Sequence, residues 1–60
     1  MKVQYYPKHD LLYIRFDPKK QELSNRRVDE DIVLDIGEGD RIIGIEILDA
    51  SQRVDLKSFL

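Results

Sequence analysis

Ile32-Val33-Leu34-Asp35-Ile36, Gly37-Glu38-Gly39-Asp40 and Ile42-Ile43-Gly44-Ile45-Glu46-Ile47-Leu48 decide the fold. In the first run Ile32, Leu34 and Ile36 alternate with Val33 and Asp35. In the last, Ile43, Ile45 and Ile47 alternate with Ile42, Gly44, Glu46 and Leu48. A period of two in β-branched residues is a strand signal, and the Gly/Asp stretch between them reads as a hairpin turn. Two registers keep both Ile/Leu sets on one face. A loop at Glu38-Gly39 sets Asp31 opposite Glu46, a like-charge pair that costs roughly 0.2–1 kcal/mol. A loop at Gly39-Asp40 instead sets Val33 opposite Glu46 and Asp35 opposite Gly44. It pairs Ile36 with Ile43, Leu34 with Ile45 and Ile32 with Ile47. The second register is preferred, with Gly39 opening a type II′ turn.

Working outward, Lys2 to Tyr6 and Leu11 to Phe16 flank the turn signal Pro7-Lys8-His9-Asp10. Pairing Tyr6 with Leu11 places Val3, Tyr5, Leu12, Ile14 and Phe16 on one face of a second hairpin. Asp17 to Glu22 reads as a loop. Arg26-Arg27-Val28 reads as a short strand, and Asp29-Glu30-Asp31 as a bend or bulge, because Glu30 otherwise shares the inward parity of Val28 and Ile32. At the C-terminus Asp49-Ala50-Ser51 offers N-cap residues, and Gln52 to Leu60 contains neither Gly nor Pro. Ala50, Val54, Leu56 and Leu60 make a helical stripe with Phe59 off its edge, although Val54, Leu56, Ser58 and Leu60 also alternate as a strand does. A helix is favoured, because the apolar sheet face needs a cover. The expected fold is α+β: a small antiparallel β-meander of four to five strands with a C-terminal helix, in a single domain of residues 1–60.

The chain has 60 residues, 10 basic and 12 acidic, for a net charge of -2. With 42% apolar and 37% charged residues it has the composition of a globular rather than a disordered protein. Cysteine is absent, which excludes disulfides, thiolate metal sites and thiol nucleophiles. No apolar run approaches the ~18 residues of a membrane span, and no signal-peptide pattern follows Met1, so a cytoplasmic protein is expected. A ~60-residue chain buries only about 60% of its unfolded surface. Small scaffolds compensate with disulfides, a metal or a partner chain, so self-association leads the expectations. The second sheet face points the same way. It carries Tyr6, Leu11, Tyr13, Val33, Ile42 and Leu48, mixed with Arg15, Asp35 and Glu46, and one short helix cannot cover both faces. An apolar second face reads as an interface; the plainer alternative is a half-wet face with scattered hydrophobes.

Candidate chemistry is thin. Asp29-Glu30-Asp31 lies on an extended segment whose carboxylates alternate in direction, whereas a hard cation needs converging oxygens. It reads as a solvated bend that protects a sheet edge. Asp35 and Glu46 lie diagonally on the outer face beside the gap left by Gly44. They read first as register-setting charges of an interface, next as a surface ion pair with Arg15, and last as an acid–base pair. His9 sits beside Asp10 with no nucleophile in view, and Asp10 reads as a bonding partner of turn backbone. Ser24, Ser51 and Ser58 lack a nucleophile motif; Ser51 reads as a helix cap after Asp49. Lys19-Lys20 and Arg26-Arg27 are small basic pairs in an acidic chain, which makes a nucleic-acid partner unfavoured. No cofactor and no metal are expected.

Tyr6-Pro7-Lys8-His9-Asp10-Leu11-Leu12-Tyr13-Ile14-Arg15-Phe16 resembles the opening of domain-of-unknown-function family 2283, with its tyrosine, acidic turn and Asp-x-Leu-Tyr-Ile strand. Ile32-Val33-Leu34-Asp35-Ile36, the acidic Gly turn and Ile43-Gly44-Ile45-Glu46-Ile47-Leu48-Asp49-Ala50-Ser51 resemble its closing half. The resemblance spans Tyr5 to Ser51. Two positions depart from it: His9, where a small or acidic residue is commoner, and Gly39-Asp40, where the order is more often Asp-Gly. The resemblance implies a small prokaryotic β-meander protein with a C-terminal helical segment, no established activity and no catalytic residues to carry over. Some members are encoded beside small RelE-like toxin candidates, which implies an antitoxin-like, partner-binding role.

The expected function is therefore a non-catalytic interaction module, a homodimer that binds a protein partner. Tyr6, Leu11, Tyr13, Val33, Ile42 and Leu48 are its interface, and Arg15 and Glu46 set register. Face-to-face and edge-to-edge dimers both stay open. The alternative is a small enzyme or a metal- or ligand-binding protein using His9, Asp10, Asp35 and Glu46.

Overall fold

Strands form where alternation is strongest, and the computed structural model, which describes residues 1–60, adds one where it is weakest. The elements are β1 (Lys2–Tyr6), β2 (Leu11–Arg15), β3 (Ser24–Asp29), β4 (Ile32–Ile36), β5 (Ile42–Ile47) and α1 (Ala50–Arg53), with 3-10 turns at Glu38–Asp40 and Leu56–Ser58. All five strands join one antiparallel sheet in the order β1-β2-β5-β4-β3. The meander is thus a hairpin beside a three-strand unit, and β5, the most apolar strand, lies at the centre. Phe16 to Leu23 carries the chain from β2 along one end of the sheet to the far edge. There β3, with Arg26, Arg27 and Asp29, is exposed along its whole length. The Phe16 and Asp17 amides both donate to the Ile43 carbonyl, and the Gln21 side chain accepts from the Glu38 amide. These bonds tie the crossing to the start of β5 and to the β4–β5 loop.

The preferred register holds over most of the second hairpin. Ile32 faces Ile47, Val33 faces Glu46, Leu34 faces Ile45 and Asp35 faces Gly44. The turn end differs. Ile36 pairs with Ile42 rather than Ile43, and the pairing shifts there as at a bulge. Gly39 (φ 67, ψ 26) and Asp40 (φ 59) are both left-handed, so the loop is a three-residue 3-10 turn, closed by Gly37 N–H to the Arg41 carbonyl, and not a type II′ turn. Two adjacent isoleucines, Ile42 and Ile43, let the extra residue enter without moving a polar group inward. Ile43 is fully buried and Ile42 half exposed.

The sheet has two unequal faces. On one, Leu12, Ile14 and Ile47 pack with Ala50, and Val3, Tyr5, Ile45, Val54 and Leu56 close around them. The molecule is mostly β, and the expected C-terminal helix shrinks to one α-turn followed by a 3-10 turn. Val54 is extended (φ -139, ψ 162) and ends α1, and Asp55 then caps the second turn by accepting from the Lys57 amide. A β-branched residue at an exposed end gains little from helix, while here its extended form keeps Val54 and Leu56 over the core. The cover stops short: Ile32 and Leu34, on the same face of β4, are only half buried.

Candidate functional site

The outer face reads as three rows of side chains running across the strands, fixed by register. The first is Tyr6, Leu11 and Leu48, with Leu48 N–H bonded to the Asp31 carbonyl. The second is Gln4, Tyr13, Glu46, Val33 and Arg27. The third is Lys2, Arg15, Gly44, Asp35 and Asn25. Tyr6, Leu11 and Leu48 therefore form one continuous apolar strip. Tyr13 and Glu46 border it, and Val33 is buried between Glu46 and Arg27. Ile42 stands apart, beyond the third row.

Asp35 holds the most organised polar cluster. It is 6% exposed, yet its Oδ2 accepts from the Tyr13 hydroxyl at 2.9 Å and its Oδ1 from the Asn25 amide at 2.6 Å. Tyr13 starts on β2 and must cross β5 to reach β4. Gly44 permits this, since a Cβ there would lie 2.7 Å from the Tyr13 hydroxyl oxygen and 3.0 Å from the Ile14 carbonyl. The gap read beside Asp35 is therefore filled by a phenol. Burial, the hydrogen bond to Asp35 and that carboxylate's charge raise the Tyr13 pKa, against a lowering pull from Arg15. The ion pair of Arg15 with these acids, the second of the sequence readings, does not form. Arg15 instead donates to the Asp17 and Lys19 carbonyls and braces the crossing.

A second cluster gathers around Asp10, at the opposite end of the sheet. Asp10 is left-handed (φ 49), and its carbonyl accepts from the Ala50 amide. Its carboxylate accepts from Tyr5 Oη at 2.8 Å, Ser51 N at 3.0 Å and Ser51 Oγ at 2.6 Å. Asp10 thus caps α1 from the other end of the chain, in place of a turn-backbone role. Of the expected cap residues, Asp49 holds the N-cap position but is left-handed and makes no side-chain cap bond, and Ser51 lies inside the first turn with its hydroxyl on Asp10. The Ser51 hydroxyl, then Tyr5, hold the Asp10 pKa below the ordinary carboxylate value, and the same bond raises that of Tyr5.

The acidic bend is also engaged. Arg53 bridges Asp29 at 2.9 Å and Asp31 at 3.3 Å, which lowers the Asp29 pKa and raises that of Arg53. Tyr5, Asn25, Ser51 and Arg53 carry these clusters, and of them local sequence pattern marks only Ser51, as a cap. Their partners lie 5, 10, 41 and 24 positions away. Of His9, Asp10, Asp35 and Glu46, no two share a hydrogen bond. His9 is exposed in the first turn, Asp10 serves Ser51, Asp35 is closed in by Tyr13 and Asn25, and Glu46 stands on the outer face. No three His, Asp or Glu side chains converge as metal ligands do. The basic pairs are split as well: Lys19 lies 4.0 Å from Glu38, and Arg27 donates to the Glu30 carbonyl. No helix is long and apolar enough to cross a membrane.

A family model described as Protein of unknown function (DUF2283) matches residues 2–51, and the chain belongs to that family. The match takes in the whole stretch from Tyr5 to Ser51 that resembles it. No curated protein and no solved structure matches the chain.

Proposed function

We propose that this member of the DUF2283 family is a non-catalytic interaction module, self-associating as a homodimer and binding a protein partner through its outer face. One observation carries the reading. The folded chain exposes 4474 Å², whereas a 7.1 kDa monomer is expected to expose about 4,100 Å². Met1, Tyr6, Phe16, Val28, Ile42, Phe59 and Leu60 each keep two-fifths or more of their surface in water. Tyr6 lies in the strip with Leu11 and Leu48, where aromatic and aliphatic anchors sit beside a polar border, as at interface centres. Glu46 borders that strip beside Tyr13 and sets its orientation, while Arg15, one row farther off, braces the crossing. The polar clusters act in support, because their oxygens are taken up by neighbours within the fold. An antitoxin-like role is the partner-binding form of this proposal.

The test compares affinity capture from native cell extract by the wild-type chain and by L11E and L48E, read by quantitative mass spectrometry. A partner retained by wild type and lost at least tenfold by both variants, with circular dichroism unchanged, is the expected result. Equal capture by all three contradicts an outer-face site. A ligand-binding role for His9, Asp10, Asp35 and Glu46 makes a different forecast. A metal or metabolite selective for the native state must raise Tm, and the proposal expects a flat response.

A further inference from the structure

Resting on the reading of the chain as self-associating, we propose that the second copy docks on the free edge of β1, so that two sheets run on as one antiparallel sheet. β1 bonds only to β2, and all its residues pair in unbroken register from Lys2 with Arg15 to Tyr6 with Leu11. Its other edge is bare. Outside the ladders the only β1 backbone atom in a hydrogen bond is the Tyr6 carbonyl, taken by the His9 amide in the turn. No side chain caps that edge, and Lys2 is its single charge. Such an edge is a template for another strand.

The opposite edge is shielded by the devices that prevent pairing. β3 carries Arg26, Arg27 and Asp29, and its register breaks between Arg27 and Asp29. Side-chain alternation requires that two copies sharing a face pair residues of equal parity. Under that rule the longest β3–β3 overlaps set Arg26 or Arg27 against its own copy. A β1–β3 pair is heterologous, leaves a free edge at each end, and meets the bulge. β1 has no such conflict. Its full length overlaps only when Gln4 opposes Gln4, and then Val3 meets Tyr5 on the covered face and Lys2 meets Tyr6 on the outer face. Val3 and Tyr5 are half-buried margins of the core, so the pairing extends the apolar row across the two-fold axis. Lys2 gains an aromatic face, and no like charges oppose each other. This docking leaves the outer face free for a different protein.

The chain contains no cysteine, so single cysteines report geometry directly. Opposed residues of an antiparallel pair have Cα atoms about 4.5–5.5 Å apart, within disulfide reach of roughly 4.4–6.8 Å. Oxidised Q4C is expected to form covalent dimer in high yield. K2C, whose two copies then lie roughly 14 Å apart, and E46C, at the centre of the outer face, are expected to stay monomeric on denaturing gels. Sedimentation of the Q4K variant, with like charges on the axis, should show a dimer Kd raised roughly fivefold. A sedimenting dimer that links through E46C but not Q4C, or a Kd indifferent to Q4K, overturns the edge docking and leaves self-association standing. A chain monomeric at every concentration overturns both.

Discussion

Tyr13, Gly44, Asp35 and Asn25 make a polar bridge across the four strands β2, β5, β4 and β3, and it stands or falls with one hydroxyl. Removing that hydroxyl leaves a buried acceptor with one fewer donor, a loss of about 1–3 kcal/mol. Y13F is expected to show this in urea unfolding, with an unchanged m value. G44A acts through the same ring, since its Cβ would collide with the Tyr13 hydroxyl. Groups that share a contact are not additive, so G44A should cost less in a Y13A background than alone. Additive losses would show that Gly44 and Tyr13 are unrelated. Asp10 gives a pH prediction. Hydrogen bonds from Ser51 and Tyr5 lower its folded pKa, so its contribution is complete above the unfolded value of about 4 and is lost as pH falls through the lower folded value. Thermal melts from pH 6 to pH 2.5 should therefore show a shallower decline for D10N than for wild type. Parallel declines would contradict the cap. Asp29, lowered by Arg53, leaves the variant some acid sensitivity.

At the scale of elements, the two largest fully buried side chains, Leu12 and Ile43, mark where burial does most. L12A and I43A are each expected to cost about 2–5 kcal/mol, and L34A, at the uncovered margin, less. Equal losses for all three, measured by denaturant unfolding, would show that the β4 margin is as well packed as the core. The contrast also explains how much of the architecture was legible. Ile32, Leu34, Ile45 and Ile47 set the β4–β5 register, because slipping them by one residue turns every apolar group to the other face. The bulge escaped that test, since Ile42 and Ile43 are interchangeable to a pattern of apolar and polar letters. The sequence marks only Arg26-Arg27-Val28 of β3, because Ser24-Asn25-Arg26-Arg27 has no apolar alternation, and neighbours in space recruit the rest. The apolar stripe over Gln52–Leu60 fits a longer helix than forms, while the Asp10–Ser51 cap and the pull of the core on Val54 and Leu56 act over distances that local periodicity does not contain. Of the site, the outward set Tyr6, Leu11 and Leu48 followed from parity alone. The Tyr13–Asp35–Asn25 bridge needed the strand order. Gly44 opposite an acid, with Tyr13 one row away, was its one sequence trace.

For the whole molecule the governing quantity is surface. A chain this small covers one sheet face in part and on the other buries only Val33, Gly44 and Asp35, and it leaves seven large apolar side chains exposed against six that it buries. The proposed self-association removes part of that apolar area from water, at about 25 cal/mol per Å². The most direct measurement is sedimentation equilibrium of the wild-type chain across the micromolar range at moderate salt. A reversible shift to a species of twice the 7.1 kDa chain mass is expected. A single species at the chain mass at every concentration would contradict it.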